Sequence, residues 1–493
     1  MARFFHYKSP QALMDDVQRL GLGVELRADL EPLLRPIEVG GRRLGNRLAI
    51  QPMEGCDGDL DGRPGELTLR RYRRFGSGGA KLVWGEACAV VPEGRANPRQ
   101  LVICKATAPA FRRLVEECRK AHRESMGSDA DLLVGLQLTH SGRYSVPNPV
   151  LAHHDPLLDP LTFRDKSRGL RVGPTDPLIS DADLDRLLDR YEEAAGLAWE
   201  VGFDFVDLKQ CHRYLLNELL AAKTRPGKYG GSFENRTRFI RELVGRLRHR
   251  HPTALIATRL NVYDGPPFVL GPDGRGIRVW DEKLVCSCWG TAEQDPARPD
   301  LAEPIALVGQ LRSLGVALVN VSMGNPYASP HLVRPFEYPP PDGYETPEHP
   351  LIGVDRHFRL TAQVQQAHPE LAVVGSGYSW LQAYALEAGA ANVAAGRVSI
   401  VGIGRGALAQ PEFGRRATAG EPLDPKRLCR TFSYCTALMR SKHHPLGQFP
   451  TGCPPFDRDV YGPIWDEARR PPAGFAARKT EAPPRNPQDD CAR

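Results

Sequence analysis

Eight short runs of mostly Val, Ile, Leu and Ala recur along this chain, at 48–52, 81–86, 132–138, 204–209, 254–260, 316–322, 371–375 and 398–402. Most show no alternation of apolar with polar residues, the mark of strands buried on both faces of a parallel sheet. Helical patterns lie between them. The clearest starts at Ser180, three residues before Asp183 in capping-box spacing, and puts Leu184, Leu187, Leu188, Tyr191, Ala194, Ala195 and Ala198 on one face. Others fall at 111–121, 233–247 and 305–314, with weaker ones at 357–368 and 380–388. Eight strands alternating with helices allow a doubly wound sheet or a barrel, and only the closed (β/α)8 barrel gathers all eight strand ends around one mouth. The predicted fold is therefore an α/β TIM barrel.

The barrel takes residues 37–425. Residues 1–36 form an N-terminal helical addition, its helix capped at Ser9-Pro10 and carrying Leu13 and Val17, packed on the barrel's outside or base. Residues 426–468 read as a C-terminal extension packed on the barrel, and 469–493, rich in Pro, Ala and charge, as a disordered tail. Two long connections, 141–177 and 261–299, follow strands at the C-terminal face, where barrel active sites are built. With 65 Lys and Arg against 59 Asp and Glu, the net charge of +6 is too weak over 493 residues to imply a nucleic acid or a membrane surface as partner. The run 389–404 is broken by Arg397, and no stretch reaches the ~18 apolar residues of a spanning helix. Acidic residues precede any long apolar region at the start, against a secretory signal. Eleven scattered cysteines lack the density of a disulfide framework. The expected setting is the cytoplasm and the expected partner a small molecule.

Two sets of residues carry chemistry. Gly375-Ser376-Gly377-Tyr378 follows the seventh run and Gly402-Ile403-Gly404-Arg405 the eighth. Such glycines let backbone N–H groups approach a phosphate, which barrels commonly hold at this pair of loops, although tight βα turns use the same residues. The second set, Glu54, Gln137, Lys209, His212 and Arg259, stands at other strand ends, where a barrel can converge it on one ligand.

The motifs then become specific. Asn46-Arg47-Leu48-Ala49-Ile50-Gln51-Pro52-Met53, Glu86-Ala87-Cys88-Ala89-Val90, Gln137-Leu138-Thr139-His140-Ser141-Gly142-Arg143 and the run from Tyr214-Leu215-Leu216 to Tyr229-Gly230-Gly231-Ser232-Phe233-Glu234-Asn235-Arg236 resemble, in order and spacing, the old yellow enzyme family of FMN-dependent oxidoreductases. The resemblance runs from about 34 to about 421, roughly four-fifths of the chain. It implies FMN as cofactor and NADH or NADPH as electron donor. Gln137 would bond the pyrimidine edge of the flavin, Pro52, Met53, Glu54 and Ala87 would line the ring, and Arg259 would stand beside N1 and O2. Ser376, Gly377, Gly404 and Arg405 would hold the phosphate. Family barrels of this type often pair, so a homodimer is allowed.

The active-site segment departs from the family. Many members have His-x-x-His or His-x-x-Asn, then Tyr two residues on; here Lys209-Gln210-Cys211-His212-Arg213-Tyr214 keeps His212 and Tyr214 but puts lysine first. An ammonium suits a carboxylate, an enolate or a strongly polarised carbonyl. Lys209 and His212 would then grip the substrate oxygen while Tyr214 supplies a proton; the structural alternative for Lys209 is an ion pair with Glu54 or Glu86. Glu54 itself stands where relatives often carry Thr, Ser or Cys. The iron–sulfur branch of the family places four cysteines after the barrel, then a second nucleotide-binding domain. The region just after the barrel, 426–468, offers only Cys429, Cys435 and Cys453, so neither a cluster nor a metal is expected. His443-His444 shows no zinc spacing, and Cys56, Cys286 and Cys288 read as loop thiols. The leading expectation is an ene-reductase acting on an α,β-unsaturated carbonyl or carboxyl compound. Its rivals are a flavin-dependent dehydrogenase of an amine, alcohol or saturated carbonyl compound, and a non-catalytic flavin-binding barrel.

Overall fold

A strand apolar on both faces can bond neighbours on either side, and the eight runs do so around a full circle. The computed structural model describes residues 3–281 and 287–471. Its barrel strands are β1 (Leu48–Ile50), β2 (Leu82–Ala89), β3 (Leu133–Thr139), β4 (Phe205–Leu208), β5 (Leu255–Tyr263), β6 (Val316–Met323), β7 (Ala372–Gly375) and β8 (Ile400–Ile403). They form one closed barrel in chain order. Every neighbouring pair is parallel, and closure is made by β8 on β1, with Gly402 opposite Ala49. All eight predicted strands are present, shifted by a few residues at their ends.

The helices cover the outside. Asp181–Glu200 is capped as predicted, Ser180 Oγ accepting from the Asp183 N–H at 3.0 Å, and its seven predicted apolar residues are buried. Two expectations need correction. The 233–247 helix is split into Phe233–Arg236 and Arg238–Arg250 at Thr237, whose hydroxyl bonds back to the Phe233 carbonyl. The 380–388 helix is a 3₁₀ segment, Tyr378–Tyr384, kinked at Gln382 (φ 52°), and the α-helix starts only at Ala385. A helix at Glu66–Gly76 was not predicted, because Arg70, Arg71, Arg73 and Arg74 dilute its apolar stripe of Leu69, Tyr72 and Phe75.

A hairpin of Ile37–Val39 and Arg42–Leu44 closes the barrel's lower end. Val39 and Leu44 join Ala49, Leu82, Trp84, Leu133, Phe205 and Leu255 in an apolar plug inside the barrel. Trp84 meets Phe205 edge to face at 5.0 Å. Only glycine fits opposite: a Cβ on Gly135 would lie 2.1 Å from the Phe205 ring. With the lower interior filled, the barrel's own ligand space lies at the upper mouth.

The N-terminal helix, Pro10–Arg19, is capped by Ser9 with Leu13 and Val17 buried. Its segment lies along the barrel's side, where Phe5 packs on Trp380 and the N–H groups of Arg3, Phe4 and Phe5 point to Glu337. In the C-terminal extension, helices Tyr434–Arg440 and Arg458–Ala468 are held to the barrel by Asp457, which receives both Nη atoms of Arg70 at 2.7 and 2.8 Å, and by the Thr451 N–H on the Gly55 carbonyl. The long connections carry hairpins of their own, Phe163–Asp165 with Leu170–Arg171 and Phe268–Leu270 with Gly276–Arg278. The expected tail from 472 onward and Cys286 lie outside the described residues. Among the described residues, no helix is long and apolar enough to cross a membrane.

Candidate active site

The upper mouth is built around a strained turn after β4. His212 and Arg213 both adopt left-handed backbone, at φ 68° and 59°, which costs a non-glycine residue roughly 1–2 kcal/mol each. Side-chain bonds impose it. Arg213 is buried and pairs with Asp155 and with Asp264 (3.0 Å), donates to the Ser287 carbonyl at 2.6 Å, and its backbone N–H meets Asn217 Oδ1 at 2.7 Å. The turn so fixed presents Lys209, His212 and Tyr214 to one space.

Lys209 is 4% exposed, and its Nζ lies 3.9 Å above the Tyr214 ring. Among the described residues its ammonium forms no hydrogen bond and no ion pair, while its backbone N–H donates to the Leu138 carbonyl at 3.1 Å. The alternative partners are engaged elsewhere: Glu86 with Arg71 and the Gly55 N–H, Glu54 with Gln100 Nε2 at 2.7 Å. Burial pushes the Lys209 ammonium toward neutrality, partly offset by Cys211 and Glu54. His212 Nε2 lies 3.1 Å from Ser322 Oγ, and burial with Arg259, Lys209 and Arg334 nearby keeps the imidazole neutral. Burial raises the Glu54 carboxyl, against the pull of Lys209, Lys442 and Arg440. Burial and Glu54 raise the Tyr214 phenol, whose hydroxyl meets that of Tyr327 at 3.1 Å.

Beneath the mouth, Asp207 organises the next layer. Its carboxylate accepts from Trp84 Nε1 (2.7 Å), Gln137 Nε2 (2.5 Å) and the Arg259 N–H (2.6 Å), tying the apolar plug to the two residues expected at the flavin's polar edge. No motif flagged Asp207; the available signal was a lone carboxylate inside an apolar strand. Gln100, which holds Glu54 and the Ala87 carbonyl, carried no signal at all. With its amide nitrogen so used, Gln137 keeps its carbonyl oxygen as an acceptor. Arg259 ends in a guanidinium whose buried Nε has no partner. Pro52 and Met53 are half-buried on the loop after β1, and Ala87 is buried on β2.

At the β7 and β8 ends, Ser376 Oγ is already engaged, accepting from Gln51 Nε2 at 3.0 Å and bonding the Val321 carbonyl. Gly377 has φ 97°, and a Cβ on Gly404 would only touch Gln51 Cβ at 3.8 Å and Met53 Sδ at 4.0 Å. Arg405 bonds the Pro335 carbonyl through Nη2 while its buried Nη1, like Arg334 Nε, has no partner. Burial and the neighbouring Arg405 and Arg440 push the Arg334 guanidinium down to about 10. This is positive charge gathered with little to neutralise it. Cys429, Cys435 and Cys453 are neighbours below it, but among the described residues no group of three or more His, Cys, Asp or Glu is placed to hold a metal ion.

Residues 32–267 match the NADH:flavin oxidoreductase / NADH oxidase family. An NADPH dehydrogenase of Geobacillus sp. (strain WCH70) is 29% identical over 242 residues, 48% of this chain and 62% of that relative. One from Halalkalibacterium halodurans is 26% identical over 313 residues, 63% of this chain and 76% of the relative. In structure the chain is similar to a 2-naphthoyl-CoA reductase in complex with 2-naphthoyl-CoA (TM-score 0.63, 18% identity, 89% of this chain and 58% of that one). It is also similar to an old yellow enzyme homologue from Zymomonas mobilis (TM-score 0.55, 20% identity, 80% and 94%). The chain thus spans less than two-thirds of the first relative in each comparison.

The family's FMN fits the residues present. A phosphate would complete the unpartnered nitrogens of Arg405 and Arg334 beside Gly404, and a flavin's polar edge would complete the unpartnered nitrogen of Arg259. Over residues 32–267 the sequence is thus similar to the NADH:flavin oxidoreductase / NADH oxidase family, and the closed barrel carries a donor set that suits FMN.

Proposed function

We propose that the protein oxidises NADH or NADPH and reduces the activated C=C bond of an α,β-unsaturated carbonyl or carboxyl compound. The single observation that carries this reading is Lys209: a buried ammonium with no partner among the described residues, beside the hydroxyl-bearing ring of Tyr214. FMN, when bound, supplies hydride transfer to and from carbon. The chain's own residues supply the rest. Lys209, with neutral His212 beside it, would hold the substrate oxygen and stabilise the negative charge that develops there, a donor arrangement of oxyanion type. Tyr214 would hold the proton for the second carbon at its hydroxyl. Arg259, Lys209, Arg440 and Lys442 bias the mouth toward anions, so a carboxylated enoate should bind more tightly than a neutral enone of the same size.

The test is anaerobic. NADH or NADPH should bleach the yellow holoenzyme, and 2-cyclohexenone or an enoate should restore the colour with one C=C bond reduced. Bleaching by an amine or alcohol alone would reverse the assignment. Tyr214→Phe separates the roles: reoxidation by the enone should slow about 10²-fold or more, with reduction by NAD(P)H nearly untouched. Equal slowing of both half-reactions would remove Tyr214 as proton donor.

A further inference from the structure

A buried proton donor must be recharged every cycle. Tyr214 is 3% exposed, and its hydroxyl has one hydrogen-bond partner among the described residues, the hydroxyl of Tyr327 at 3.1 Å. Tyr327, on the connection after β6, is 38% exposed. It stacks on Tyr144 at 4.0 Å and 21°, and the Tyr144 hydroxyl is fixed by Asn325 Nδ2. Asn325 Oδ1 in turn accepts from the Tyr327 N–H at 2.9 Å, so ring and backbone are both positioned. Each phenol of the pair also has its own cation: Lys209 Nζ over Tyr214 at 3.9 Å, the Arg440 guanidinium over Tyr327 at 4.7 Å. Arg440 is anchored from the C-terminal extension by the Pro326 carbonyl and Asp342.

We propose that Tyr327 is the residue through which Tyr214 regains its proton from solvent, and that Arg440 steadies the charge this transfer places on Tyr327. The inference rests on Tyr214 being the proton donor. The balance is simple. The Tyr214 O–H bond breaks as the substrate C–H bond forms; the Tyr327 proton then moves to the Tyr214 oxygen, and water supplies Tyr327. Each cycle consumes one hydride from NAD(P)H, which leaves as NAD(P)⁺, and one solvent proton. A buried Tyr214 and a Tyr327 packed against other rings would resist carrying negative charge, and a cation over each ring opposes that cost. The arrangement also gives the extension a role in turnover.

Tyr327→Phe keeps the ring and its stacking and removes only the relay oxygen. With reduced holoenzyme and 2-cyclohexenone, its first turnover should run at the wild-type rate, because Tyr214 starts protonated. Multiple turnover should then fall about tenfold or more, giving a burst of one product per flavin, and imidazole buffer should restore the steady state as a diffusible acid. A purely structural role would move both phases together and would not respond to imidazole. Wild-type steady-state turnover without a burst, or a loss that imidazole does not repair, overturns the relay. Tyr214→Phe run in parallel should lose the first turnover itself. If it does not, the donor assignment has failed, and that outcome is distinct from failure of the relay.

Discussion

Replacing Lys209 by alanine is expected to lower kcat/KM for an accepted enone by about 10²–10³-fold, the usual loss when one donor to a developing oxyanion is removed. FMN binding and reduction by NAD(P)H should change little, since neither the phosphate cradle nor Gln137 touches this side chain. The size of the effect follows from its surroundings. A lysine in a surface ion pair is worth about 1 kcal/mol or less, whereas Lys209 is buried, meets only the face of Tyr214, and has no carboxylate within ion-pair distance among the described residues. Because burial lowers its pKa, the charged form should be lost as pH rises through a value below the ordinary lysine range near 10.4. Activity should therefore fall on an alkaline limb that Lys209→Arg moves to higher pH. His212, neutral throughout, should contribute no limb near 6.5. Unchanged kinetics in Lys209→Ala, with a normal alkaline limb, would reduce Lys209 to a packing residue.

The barrel was legible in the sequence because its physical demand is severe. Strands buried on both sides must be continuously apolar, and eight such runs leave few alternatives. Glu54, Gln137, Lys209, His212 and Arg259 were legible as polar residues at the ends of those runs, and Tyr214 through the family resemblance. Buried ion pairs between distant residues were not legible. Arg71 stands in an arginine-rich stretch with no local sign of burial, yet it is buried between Asp57 and Glu86. That pairing is also what frees Lys209 from Glu86, so the catalytic reading of one lysine depends on contacts that local pattern cannot express. The same holds for Gln100 on Glu54 and for the approach of Arg440 to Tyr327, which joins residues 113 positions apart across the mouth. Sequence separation, rather than weak local signal, hid these.

Arg213 provides the second large expected effect. It sits inside the Lys209 to Tyr214 segment, between the two residues that the family resemblance singles out, and it holds that segment's left-handed turn. Arg213→Met would leave Asp155 and Asp264, each about 2% exposed or less, without their cation. Breaking a buried pair by removing one partner costs about 3–5 kcal/mol, so urea unfolding should show a loss of that order. Arg213→Lys should recover only part of it, because one ammonium cannot reach Asp155, Asp264 and the Ser287 carbonyl with the geometry of a guanidinium fork. The pH dependence has a fixed sign. Burial alone would raise the Asp155 carboxyl, but Arg213, joined by His153, Arg143 and the Leu157 N–H, holds the group below its ordinary range. A folded-state pKa below the unfolded value near 3.9 contributes stability that is present above that pH and lost as pH falls through the lower folded value. Without Arg213 the largest of these lowering influences is lost, so the acid-unfolding midpoint should move to higher pH in Arg213→Met and less so in Arg213→Lys. Where the variants remain folded, the turn should relax toward ordinary backbone and withdraw His212 and Lys209 from one another. Turnover should then fall further than the folded fraction does, with FMN still bound. A stability within about 1 kcal/mol of wild type and an unmoved acid midpoint would show that the turn is held by something other than Arg213.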